Sequence, residues 1–201
     1  MEKSTRSLDA EFFNKMYQRN EDPWDFENSP YEREKYEATL RAIPNPVYEN
    51  AFEIGCSNGI LSEKLARRCT HLLAVDASEI ATENARKRLL HYPFVKVREM
   101  IIPKDFPDES FDLILFSEVG YFLSEEDLGI AKDKIIHALL PKGHLLMVHW
   151  TPVVEEFPLT GDEVHELFIK SAGNESAPLL HLYGRREDQY RLDLFEKKTE
   201  L

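Results

Sequence analysis

The sequence predicts an α/β fold with a mostly parallel sheet. Between residues 47 and 150, apolar runs of strand length alternate with longer helical stretches. A glycine turn, Glu53-Ile54-Gly55-Cys56-Ser57-Asn58-Gly59, joins the first strand of that series to its first helix. The run 111–116 is almost continuously apolar, as expected of a strand covered on both faces.

The elements follow in order. Residues 8–19 place Leu8, Phe12, Phe13, Met16 and Tyr17 on one helical face. The Asp22-Pro23-Trp24-Asp25-Phe26 turn comes next. Ser29, Pro30 and Glu32 then read as a helix start with a capping box, and Pro44 and Pro46 stop that helix near residue 43. The β/α series predicts a strand over 47–54, a helix over 58–69 and a strand over 72–75. It continues with a helix over 78–91 capped by Ser78, a strand over 94–98 and a turn-rich connection over 103–110. After the strand 111–116, a helix over 124–140 opens with Ser124-x-x-Asp127, and Pro141-Lys142-Gly143 ends it before a strand over 143–150. The tail departs from alternation: a helix over 161–173 precedes strands 180–185 and 189–196, joined as a hairpin by Arg186-Glu187-Asp188. One domain accommodates all of this, with cap helices over 1–45, a cofactor-binding core over 47–150 and an acceptor-side segment over 151–201.

The chain has 201 residues, enough for a substantial core, and a formal net charge of -12 that argues against a nucleic-acid partner. No stretch approaches the ~20 apolar residues of a membrane span. Residues 1–6 are polar and lack the apolar region of a signal peptide, and Cys56 and Cys69 show no metal-type spacing. These features predict a cytoplasmic protein with free thiols, no membrane contact and no metal.

The loop 53–59 carries the cofactor argument. Gly55 permits a tight turn, and Gly59 lets the following helix pack close to the strand. Asp76 ends the second strand, where a carboxylate can accept from both ribose hydroxyls of a nucleoside. Dinucleotide enzymes carry a middle glycine that admits a pyrophosphate; Ser57 stands there instead. Glu53 would repel phosphates and suits a cationic ligand. S-adenosylmethionine, with its sulfonium and α-amino group, fits these residues.

Glu-x-Gly-x-x-x-Gly at 53–59, Asp76, the segment Asp108-Glu109-Ser110-Phe111-Asp112-Leu113-Ile114 and Leu140-Pro141-Lys142-Gly143 resemble class I S-adenosylmethionine-dependent methyltransferases. Within that class, Asp22-Pro23-Trp24, Tyr31-Glu32 with Lys35-Tyr36, Glu53-Ile54-Gly55-Cys56 and Glu118-Val119-Gly120-Tyr121-Phe122-Leu123 resemble the nodulation N-methyltransferase (NodS-like) family. The resemblance runs from about Phe12 to Trp150. It implies a Rossmann-like, seven-stranded sheet with an antiparallel last strand and N-terminal cap helices. It also implies that Asp76 binds ribose, that Glu53, Gly55, Cys56, Ser57, Asn58 and Gly59 serve the methionine part, with Ala77 beside Asp76, and that S-adenosylhomocysteine is the product. The chain departs from the class after the third strand. Met100 stands near the usual adenine-binding acid, so Met100 and Ile101 would offer apolar contact and backbone groups.

Acceptor chemistry falls outside the strand ends. Glu118, ending the fourth strand, is a candidate to orient an amine, take its proton or hold the cofactor's amino group. His149, ending the fifth, is a candidate base near neutral pH. Trp24, Tyr31 and Tyr36 are candidates to face the sulfonium through cation–π attraction, or else to seal the cap helices onto the core. The expected reaction is methyl transfer to a small molecule, with the nitrogen of an amino sugar or related metabolite suggested by the resemblance. The alternatives are a nicotinamide-dependent oxidoreductase and a non-catalytic S-adenosylmethionine-binding regulatory protein.

Overall fold

In the computed structural model, which describes residues 5–199, seven strands form one sheet in the order β3-β2-β1-β4-β5-β7-β6. They are β1 (Tyr48–Ile54), β2 (Cys69–Asp76), β3 (Val95–Glu99), β4 (Phe111–Ser117), β5 (Leu139–Trp150), β6 (Leu179–Arg186) and β7 (Tyr190–Lys197). The pairs among β1 to β5 are parallel; β7 runs antiparallel to both β5 and β6. The seven-stranded sheet with its terminal antiparallel hairpin is the class I methyltransferase architecture that the sequence predicts.

Six α-helices cover the sheet: α1 (Ala10–Arg19), α2 (Pro30–Ala42), α3 (Ile60–Ala66), α4 (Glu79–Arg88), α5 (Glu125–Ala138) and α6 (Gly161–Ile169). Side chains alternate across each strand, so successive residues feed opposite cores. Phe52, Ile54, Val75, Ile114, Phe116 and Met147 meet α1, α5 and α6 on one face. Ala51, Ala74, Leu113, Leu115, Leu146 and Val148 meet α2, α3 and α4 on the other. Side-chain caps set the helix starts: Asp9, Ser29, Ser78, Ser124 and Thr160 each accept from a backbone N–H in the first turn.

Helix α4 ends at Arg88 and α6 at Ile169, short of the 91 and 173 read from the sequence, and two further boundaries differ with consequences for strand pairing. Helix α3 stops at Ala66 and β2 begins at Cys69, which pairs with Tyr48. Arg68 fastens the intervening turn, donating to the carbonyls of Leu40, Ile43, Asn45 and Pro46. Helix α5 stops at Ala138, because Leu139 is already extended and paired with Phe111. The register then jumps to Leu113 opposite His144. Residues 140–143 therefore form a bulge, with Lys142 at φ 62°, within β5 and not before it.

Strand β1 lies inside the sheet, with β2 on one side and β4 on the other, so the chain switches direction across the sheet there. The carboxyl ends of β1 and β4 consequently open a crevice. Helices α1 and α2 close over it.

Candidate active site

A cleft of about 590 Å³ lies at that crevice. The end at the glycine loop is built largely from backbone. Gly55 has φ 89°, and a Cβ there would sit 2.3 Å from Val119 Cγ2, so no other residue fits. The amides of Gly55 and Cys56 both donate to the Val75 carbonyl at 2.9 Å, folding the loop back onto β2. The Ser57 amide donates to Asp76 Oδ2 and the Ser78 amide to Asp76 Oδ1, each at 2.9 Å. Tyr17 of α1 closes the loop from above, its hydroxyl 2.5 Å from Ser57 Oγ.

Burial pushes the Asp76 carboxyl up, and the amides of Ser78, Ser57 and Ala77 oppose the shift. A carboxylate offers about four lone-pair sites, so Asp76 retains capacity on its cleft side after bonding these amides. That remaining capacity fits a ribose diol. Ala77, Met100 and Ile101 line the cleft beside Asp76. A nucleoside base there would meet a methionine and an isoleucine, without a carboxylate for its amino group.

Glu53 stands behind the loop, fully buried in β1, with no hydrogen-bond partner on either carboxyl oxygen. Burial pushes it up to about 7; the adjacent Ser62 hydroxyl opposes this without closing a hydrogen bond, and Asp76 adds to it. A cation bound in front of the loop would favour the ionised form.

The end of the cleft at Glu118 is built from side chains. Glu118, at φ 56° just past β4, receives three bonds: Lys35 Nζ on Oε1 at 2.5 Å, then Tyr121 Oη at 2.7 Å and the Trp150 amide at 2.9 Å on Oε2. Lys35 of α2 is buried, also binds Glu32 Oε1 at 3.0 Å, and lies 5.3 Å from the centre of the Tyr31 ring. Burial works against the charged lysine, but Glu118 and Glu32 outweigh it and raise its pKa. Glu32 Oε2 and the Tyr31 hydroxyl are buried without partners. Trp150, Tyr121 and Phe157 form an aromatic wall, with Tyr121 and Phe157 stacked at 5.2 Å.

Of the residues singled out in the sequence, the cleft gathers Gly55, Ser57, Asp76, Ala77, Met100, Ile101, Glu118 and Trp24. Trp24 stacks on Phe26 at 5.4 Å and meets the edge of Tyr17 at 5.7 Å. Cys56, Asn58 and Tyr36 face a small adjoining hollow under the loop, and Gly59 begins α3 behind it. Tyr36 is buried against Phe26 and does not reach the main cleft. His149 is fully buried and does not line the cleft either; its Nε2 accepts from the Gly120 amide at 3.1 Å. Lys35, Glu32 and Tyr17 are the cleft residues that sequence reasoning missed. Glu32 and Lys35 stand three apart, a spacing that ordinarily marks an exposed helical pair. Among the described residues no group of His, Cys, Asp and Glu could hold a metal ion, and no helix is long and apolar enough to cross a membrane.

Comparison with known proteins places this geometry. The NodS family profile, nodulation protein S, matches residues 10–151. Nodulation protein S of Rhizobium tropici is 30% identical over 63% of this chain and 54% of its own length. The chain spans about half the length of the first such curated relatives. A crystal structure of a candidate methyltransferase from Pseudomonas syringae is 37% identical, with a TM-score of 0.70, over 83% of this chain and 99% of that one. N-methyltransferase NodS from Bradyrhizobium japonicum WM9, solved with S-adenosylhomocysteine, is 24% identical with a TM-score of 0.80, over 92% and 97% of the two chains. These relatives give the nicotinamide reading no support. With a family match across the cap helices and the whole β1–β5 series, the chain belongs to the nodulation protein S (NodS) family.

Proposed function

We propose that this protein transfers the methyl group of S-adenosylmethionine to the nitrogen of a small-molecule amine, with amino sugars the leading acceptor class. The methyl-donor part follows from family membership and from a cleft whose glycine loop and Asp76 suit a nucleoside. The amine part rests on one observation: the acceptor end holds two carboxylates, Glu32 and Glu118, against the single cation Lys35, a net negative seat for an ammonium.

S-adenosylmethionine supplies an electrophilic methyl carbon on sulfur. Asp76, itself held by the Ser57 and Ser78 amides, holds the nucleoside end, with Trp24 and Tyr17 above. Glu118, fixed by three donors, orients the acceptor nitrogen, and the aromatic wall excludes water. The acceptor would attack as the neutral amine, after its ammonium form has released a proton to solvent; the N–CH3 bond would form as the S–CH3 bond breaks and S-adenosylhomocysteine leaves, an in-line displacement that depends chiefly on such positioning. The test is incubation of the full chain with S-adenosylmethionine and a panel of primary amines, amino sugars included, with products read by mass spectrometry and NMR. N-methylated product is expected. Methylation of oxygen alone would overturn the amine reading, and S-adenosylhomocysteine binding without any methylated product would favour a regulatory protein.

A further inference from the structure

Behind the acceptor end runs a chain of buried hydrogen bonds that methyl transfer, as described above, does not use. His149 Nε2 faces the Gly120 amide at 3.1 Å, and its Nδ1 faces His165 Nε2 at 3.0 Å. His165 Nδ1 faces Asp193 Oδ2 at 2.6 Å. An amide N–H can only donate, so His149 Nε2 carries no proton. The neutral His149 ring therefore has its proton on Nδ1 and donates to His165 Nε2. His165 in turn donates from Nδ1 to Asp193. One protonation pattern satisfies every bond, and both histidines are neutral in it.

The packing around this chain is close at two glycines. A Cβ on Gly161 would sit 2.1 Å from the Trp150 carbonyl oxygen. One on Gly120 would sit 2.5 Å from Val164 and 3.0 Å from His149 Nε2. The capping box of Thr160 and Glu163 starts α6 at that contact, and His165 follows within its first turns. Three successive residues of β5 then grip the turn after β4. The Val148 carbonyl accepts from the Glu118 amide at 2.9 Å, His149 accepts from Gly120, and the Trp150 amide donates to Glu118 Oε2.

We propose that His149 is a positioning residue for methyl transfer. Through His165 and Asp193 it holds the turn after β4, and with it Tyr121 and Glu118, in the arrangement that the acceptor meets. The role rests on the amine-transfer reading above. The chain is no proton conduit to the cleft, because it ends at a backbone amide that cannot take up a proton.

The groups around the chain favour its neutral form. Burial pushes His149 well below its usual value, with His165 and the Lys35 charge acting in the same direction. Burial also lowers His165, although Asp193 opposes it. Asp193 accepts from Arg191 of β7 at 2.7 Å and faces His181 of β6 at 2.6 Å. Asp162 and Glu166 of α6 pair with Arg191, and Arg186 of β6 pairs with Asp162. Glu118 and Tyr121 close the side toward the cleft. A proton on Nε2 would set two N–H groups against each other at Gly120. The folded state thus disfavours protonated His149. Its contribution is complete above the unfolded histidine value of 6.5 and is lost as pH falls below it toward the folded value.

The test combines long-range proton–nitrogen NMR of the histidines, hydrogen exchange at Gly120, calorimetry with S-adenosylhomocysteine and turnover of the amine acceptor. The wild type is expected to show His149 in the Nδ1–H tautomer. His149→Phe should lower turnover by about tenfold or more and speed Gly120 exchange by about tenfold, with S-adenosylhomocysteine affinity changed less than about threefold. His149→Gln, whose side-chain oxygen can accept from Gly120, should recover most of the turnover. If His149→Phe does not fold, His165→Leu reads the same chain one bond further back and should show the same losses. An Nε2–H tautomer, unchanged exchange and turnover in these variants, or a fall in cofactor affinity in step with turnover would overturn the proposal. If the wild type methylates no amine, the acceptor reading fails on its own, while tautomer and Gly120 exchange still judge the chain.

Discussion

The two ends of the cleft are made differently. At the cofactor end, backbone amides of the loop 53–59 fold onto the Val75 carbonyl and the Asp76 carboxylate, and the side-chain requirements reduce to that carboxylate and the absence of a side chain at Gly55. At the acceptor end, the geometry comes from long side chains on separate elements: Lys35 and Glu32 from α2, Glu118 and Tyr121 after β4, and the Trp150 amide from β5. A backbone cradle tolerates varied side chains, because its donors are present in every residue. A charge network loses its balance when one member changes. Substitutions should therefore cost stability at the acceptor end and ligand affinity at the cofactor end.

The largest effect is expected from Lys35→Met. Methionine keeps most of the apolar stem but leaves the buried Glu32 and the half-buried Glu118 without their cation. Breaking a buried pair in this way costs roughly 3–5 kcal/mol. Urea unfolding near neutral pH should show that loss, and part of it should return on acidification, when Glu32, pushed up by burial, can take up a proton. A loss under about 1 kcal/mol would mean that water reaches the carboxylates and that the network does not fix the acceptor end.

Asp76→Ala tests the other end. The fold should survive, because the β2 core residues are untouched and Ser57 borders the cleft, where its freed amide can be solvated; the buried Ser78 amide loses its partner, which sets the stability cost. S-adenosylhomocysteine affinity should fall by roughly 1.5–3 kcal/mol, the range for hydrogen bonds to a charged group. Calorimetry on the folded variant measures it. Unchanged affinity would remove Asp76 from the ribose site. A loss of stability larger than the loss of affinity would break the contrast between the two ends.

The same contrast explains what the sequence reveals. The strands and the loop are legible because periodicity and glycine placement are local properties, and the hairpin is legible from a short polar turn between two strand-like runs. The bulge at residues 140–143 is not, since Pro141-Lys142-Gly143 has the composition of a helix stop whether or not the chain resumes pairing across it. Glu118 and Asp76 can be picked out as acids at strand ends. Lys35 cannot, because its burial depends on how α2 docks against β5 and the turn after β4. The sequence also singles out His149 as a candidate base, since a histidine at a strand end looks the same whether it faces the cleft or α6. The position of His165 decides between these, and it lies beyond a loop whose path no local pattern fixes.

The smallest effect is expected from Tyr17→Phe, and it decides whether α1 belongs to the cofactor end or merely covers it. The Tyr17 hydroxyl lies 2.5 Å from Ser57 Oγ, while its ring packs against Trp24 and is otherwise buried. Phenylalanine keeps the ring and removes one neutral hydrogen bond, whose net worth is about 0.5–1.5 kcal/mol. The freed Ser57 hydroxyl borders the cleft and can be solvated there, which keeps the cost toward the lower end of that range. The Ser57 amide keeps its bond to Asp76, so the loop should hold its shape and its amide should exchange at nearly the wild-type rate. Affinity for S-adenosylhomocysteine should therefore fall only a few-fold. If Tyr17→Phe instead weakened binding as much as Asp76→Ala, the cradle would owe its geometry to a side chain on the cap helix. The cofactor end would then be as dependent on tertiary packing as the acceptor end.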